Sequence, residues 1–165
     1  MHKGFAALFC LVASVAQAQD CPWMSVDRID KAFQSRAAWS TMAADAGRCK
    51  FISTQAVPPS TISVTQIVKG SAEEAEKYAR SVGSGMAASY RVTPLTAIGA
   101  AGAAVREKTD DGRMLTLVGH QKNIVVMIQM SFPGGVSPAD ESAAVAIAQE
   151  TFGLDTGGGL KMPSR

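Results

Sequence analysis

The chain has 165 residues, a formal net charge of +2, 47% hydrophobic side chains and only 6% aromatic ones. Length and apolar content suit one domain with a sizeable core. With 16 basic and 14 acidic side chains and no basic block, a nucleic-acid partner is not indicated.

The first eighteen residues read as a targeting segment. Lys3 gives a positive start, Gly4 to Ala16 is apolar but too short to span a bilayer, and Ala16-Gln17-Ala18 is a small-x-small cleavage site. The expectation is an exported chain, periplasmic or secreted, cleaved near Ala18. Asp20 before Cys21 and Phe9 before Cys10 do not suit a lipoprotein signal, so no stable membrane anchor is expected. The expected organisation is a signal peptide at 1–18, one domain at 19–153 and a flexible glycine-rich tail at 154–165. Of three cysteines, Cys21 and Cys49 remain after cleavage. In an oxidising compartment they read as one disulfide, the alternative being two free thiols; with one histidine they make no recognisable zinc site.

After Cys21, Ser25 can cap a short helix that places Val26, Ile29 and Phe33 on one side. Arg36 to Gly47 is irregular, with Trp39 and Met42 as peripheral core. Trp23 and Trp39 are assigned to packing rather than to a ligand platform. Cys49–Ser53 and Thr61–Val68 are strand candidates that pair as a hairpin around Pro58-Pro59. Ser71 to Glu74 is a capping box, with Glu74 reaching back to the Ser71 amide. Its helix carries Ala75, Tyr78, Ala79, Val82 and Met86 on one stripe and is weakened by Gly83 and Gly85. The acidic run Glu73, Glu74 and Glu76 lacks calcium-loop spacing and reads as a solvated face. Ile98-Gly99-Ala100-Ala101-Gly102 lacks a phosphate-binding pattern and reads as a stretch of close backbone approach.

Ala103 to Phe132 is a three-strand meander. Asp110-Asp111-Gly112 suits a three-residue hairpin with Gly112 left-handed, which sets Val105 opposite Leu117. A loop at Gln121-Lys122 sets Leu117 opposite Val126 and leaves His120 in a turn. One face then holds Ala103, Val105, Leu115, Leu117, Ile124, Val126, Ile128, Met130 and Phe132. The other is mixed: Arg106, Lys108, Met114, Thr116, Val118, Val125, Met127, Gln129 and Ser131. Its apolar centre and polar rim make it the candidate binding face, unless the N-terminal helix and the Trp39 segment cover it. Ser137-Pro138-Ala139-Asp140 opens a last helix that turns Ala143, Ala144, Ile147, Ala148 and Phe152 inward.

The expected fold is α+β, an antiparallel sheet of about five strands (a hairpin plus the meander) packed with three helices. At Cys21-Pro22-Trp23-Met24-Ser25, Gly47-Arg48-Cys49-Lys50-Phe51 and Ile98-Gly99-Ala100-Ala101-Gly102 the chain resembles a family of small exported bacterial domains of unknown function, mostly actinobacterial lipoproteins. The resemblance covers about Cys21 to Gly153. It implies a PsbP-like α/β/α sandwich and the disulfide Cys21–Cys49, and it supplies no catalytic residues. The chain departs from the family in lacking a lipid-anchor cysteine.

No nucleophile, base and orienting group stand at a catalytic spacing, and Asp110 and Asp111 are accounted for by turn chemistry. The sequence therefore points to a non-catalytic exported binding, sensor or accessory domain, with no metal or cofactor. Its partner is expected to be a protein or a small apolar ligand of the cell envelope. An inhibitor or immunity protein that blocks an exported enzyme is the second reading, and a hydrolase the third.

Overall fold

A computed structural model describes residues 21–34, 38–55, 57–108 and 112–154. The expected signal peptide, the tail beyond Leu154 and the turn residues Asp110 and Asp111 lie outside the described residues.

Among the described residues the fold is α+β with three α-helices, as expected, but the sheet has seven strands rather than about five. The elements are α1 (Val26–Ala32), β1 (Trp39–Asp45), β2 (Arg48–Ser53), β3 (Ser60–Val68), α2 (Ala72–Met86), β4 (Tyr90–Pro94), β5 (Ala103–Glu107), β6 (Met114–Gln121), β7 (Ile124–Ser131) and α3 (Pro138–Thr151). Strand order is β1-β2-β3-β7-β6-β5-β4, antiparallel throughout. Two sequence-local blocks, β1 to β3 and β4 to β7, meet along a single seam of eight paired positions, from Thr61↔Ser131 to Val68↔Ile124.

The two additional strands are the sheet's edges. The expectation of an irregular Arg36–Gly47 stretch gives way to β1, whose alternation is broken by a bulge between Thr41 and Ala43. Trp39 and Thr41 point inward, while Met42 is turned out and is 51% exposed rather than part of the core. A bulge on an outer strand both re-aims side chains and protects the edge. At the other edge β4 ends in Pro94, which an edge strand tolerates because the missing N–H can face outward.

One face of the sheet carries the main core. Phe51, Ile62, Val64, Leu115, Leu117, Val126, Ile128 and Met130 are buried there, under α1, α3 and the Cys21–Met24 segment. The disulfide Cys21–Cys49 fastens that segment to β2, with Cα atoms 5.7 Å apart. Trp39 packs 6.3 Å from Phe33 and 6.1 Å from Phe132 between ring centroids, so the tryptophan is core, as expected. The α3 start is a full capping box of Ser137 and Asp140. At its other end buried Gln66 of β3 donates to the carbonyls of Thr151 at 2.8 Å and Leu154 at 3.1 Å.

Among the described residues the second face is covered by α2 alone. Ala75, Ala79 and Gly83 are buried, and their small size brings the helix close to Ile67, Ala103, Val118 and Val125. The helix runs through Gly83 and Gly85 to Met86, with Gly83 packed against Ala103. Ser71 caps the Glu74 amide as expected, but the Glu74 carboxylate reaches one residue further back than expected, to the Gly70 amide at 3.0 Å.

The stretch before β5 makes the expected close approach. The turn at Thr96–Ile98 lies on β6, and a Cβ at Gly99 (φ +112°) would meet the His120 carbonyl, while one at Gly119 would meet that of Ile98.

Candidate functional site

The mixed face survives in part. Gly112 adopts the expected left-handed φ of +55°, yet β5 pairs with Val105 opposite Thr116 and Ala104 opposite Leu117. That is one residue from the expected register, and a one-residue slip exchanges faces. Arg106 therefore leaves the mixed face for the main-core side, where it pairs with Glu141 of α3. Ala103 and Val105 move the other way. Lys108 stands exposed just past β5, its ammonium donating to the Ala88 carbonyl at 2.6 Å.

The β6–β7 hairpin turns at Lys122-Asn123, with Gln121 opposite Ile124 and Leu117 opposite Ile128. This is two residues from the expected register, so every face assignment on β6 and β7 holds. Met114, Thr116, Val118, Val125, Met127, Gln129 and Ser131 do share one face.

That face divides in two. The expected alternative cover, α1 with the Trp39 segment, lies on the opposite side of the sheet. Instead α2 closes the half holding Val118 and Val125, both 0% exposed. Met127 is half-buried at the boundary, and Gln129, Ser131 and Met114 continue into the uncovered half. There the ladder sets Lys50, Ser63 and Gln129 side by side across β2, β3 and β7, and Thr61 beside Ser131 in the next row. The result is a concavity of about 470 Å³ with Met114 and Ala43 among its apolar lining. Arg48 lies at one end, facing Asp45 at 3.6 Å.

Sequence reasoning named the β6 and β7 members of this surface and missed Lys50, Thr61 and Ser63. The alternation of Thr61 and Ser63 against Ile62 and Val64 is a usable signal, since it marks a polar face on β3. Which strand lies beside β7 was not readable from the sequence.

His120 is not a turn residue. It stands in β6 opposite Val125, half-buried, and its Nε2 accepts from the Ala101 amide at 3.4 Å. Its Nδ1 is buried without a hydrogen-bond partner, and the ring lines a cleft of about 280 Å³ with Gly99, Gln149 and Phe152. Among the described residues no serine, cysteine or carboxylate lines that cleft, so none of them offers the imidazole a nucleophile or an orienting acid there. Among the described residues no three histidine, cysteine, aspartate or glutamate side chains gather as a metal site would need. No helix among them is long and apolar enough to cross a membrane.

The chain matches no family model, no curated protein and no solved structure.

Proposed function

We propose that this chain is an exported, non-catalytic binding domain of the cell envelope, and that it engages its partner through the uncovered half of its sheet. The observation that carries the reading is the uneven cover of the sheet. Among the described residues one face is buried under α1, α3 and the segment at Cys21–Met24, while the other is closed only where α2 lies. The rest is a rigid concave surface in which methionine is flanked by hydroxyl and amide groups, the composition of a contact surface with a polar rim. Seven ladder-bonded strands fix the backbone beneath these groups, so no loop has to order on binding.

The test is a blocked face. Gln129→Trp fills the concavity from an exposed position without touching the core. The purified oxidised chain, immobilised and exposed to envelope extract, should capture a partner, and Gln129→Trp should abolish that capture. Its stability should stay within about 0.5 kcal/mol of the parent, the usual range for surface changes. Undiminished capture by a folded Gln129→Trp protein would remove the uncovered half-face as the binding surface.

A further inference from the structure

We infer that the uncovered half-face takes an acidic polypeptide segment, anchored by a carboxylate on Lys50; this rests on the binding role proposed above and specifies its partner. Besides the Arg48–Asp45 pair, five polar side chains line the concavity: Lys50, Thr61, Ser63, Gln129 and Ser131. Among the described residues none of the five makes a side-chain hydrogen bond or ion pair. The strand ladder places them in two adjacent rows, with Lys50, Ser63 and Gln129 in one and Thr61 and Ser131 in the other. Neighbouring strands are about 4.8 Å apart, so the three groups of the first row span about 10 Å.

The charge pattern decides which partner fits. Arg48 faces Asp45 across 3.6 Å, so those two offset one another. Among the described residues Lys50 remains as the one unmatched charge of the lining, half-buried on the β2 side of the concavity. An ammonium offers donors only; the hydroxyls and the Gln129 amide donate and accept. A carboxylate on Lys50, with adjacent peptide groups on Ser63 and Gln129, satisfies both kinds. A cationic segment would meet an ammonium of like sign, and a purely apolar ligand would leave all five polar groups unpaired. An extended peptide suits an open sheet face, where a small molecule would remain largely in water.

Fluorescence anisotropy with a labelled (Glu-Ser)5 decapeptide tests this, with (Gln-Ser)5 as the neutral control. The oxidised chain should bind the glutamate peptide and not the glutamine one. Raised salt should weaken the complex, since the anchoring pair is partly exposed. Lys50→Met keeps the aliphatic stem and should weaken binding by at least about tenfold, the scale of a hydrogen bond to a charged group. Lys50→Arg should restore most of it, and Lys108→Met, away from the concavity, should change nothing. Equal binding of the two peptides, or no effect of Lys50→Met, overturns the inference. If no glutamate peptide binds while Gln129→Trp still abolishes capture from envelope extract, the acidic partner is wrong and the binding face stands. If Gln129→Trp leaves capture intact, both fall.

Discussion

An aspartate placed at successive positions down one face of β7 measures where the cover of the sheet ends. Val125, Met127 and Gln129 point to the same side. Val125 is 0% exposed under α2, Met127 is half-buried and Gln129 is exposed. Val125→Asp forfeits about 1.5–3 kcal/mol of apolar burial. It also buries a carboxyl group against the apolar side chains of Ile67, Ala75, Ala79 and Val118. The group can stay neutral in the fold at pH 7 only by taking up a proton that it releases in the unfolded chain. With an ordinary aspartate value near 3.9, that costs about 4 kcal/mol. Together the two losses reach roughly 5–7 kcal/mol, comparable with the whole stability of a domain this size. The folded-state pKa at 125 is raised, so the penalty grows with pH above about 4 and shrinks towards it. Met127→Asp should cost an intermediate amount, and Gln129→Asp no more than about 0.5 kcal/mol. Urea unfolding of the three variants and the parent at pH 7 and pH 4.5 reads all of this from the transition midpoints. Equal losses at 125 and 129, in either direction, would refute the half-covered face.

Two further predictions concern the staple and the histidine. Removing the Cys21–Cys49 bridge, which spans 28 residues, should cost about 3.5 kcal/mol by the chain-entropy model; intact mass with alkylation, with and without reductant, checks the bond first, and two freely alkylated thiols in unreduced protein would end the claim. His120→Ala should lower stability by about 0.5–1.5 kcal/mol, because it withdraws the acceptor of the Ala101 amide. It should leave binding of the glutamate peptide unchanged, and lost binding with an intact melting curve would move the functional site to the cleft beside Gly99.

Local signals carried most of the individual elements. The Ser137-Pro138 start and the Ser71 cap were legible because caps are short-range chemistry. The β6 and β7 faces were legible because strict alternation fixes a face even when the hairpin register is off by two. The β5 face was not, because Ala103-Ala104-Val105 is apolar at three successive positions and Arg106-Glu107-Lys108 is charged at three, so alternation chooses neither side. The tertiary partner, Glu141 for Arg106, settles it. β1 was hidden by its bulge, which breaks the period of two at Met42. The candidate site was half legible for a different reason. Its β6 and β7 residues lie close in sequence, whereas Lys50, Thr61 and Ser63 join them only through the pairing of β3 with β7, a contact that no local pattern announces.

That seam also sets the order in which the chain can assemble. β1 to β3 and β4 to β7 are each built from strands adjacent in sequence, and such hairpins close within microseconds. The eight-position β3–β7 zipper joins segments separated by α2 and the whole β4–β6 block, so its loop-closure entropy is lost before its contacts are gained. Substitutions along the zipper are therefore expected to slow folding more than those in the outer strands, which stopped-flow refolding of the variants would measure. The proposed binding surface straddles this zipper, so it exists only where β3 and β7 are paired.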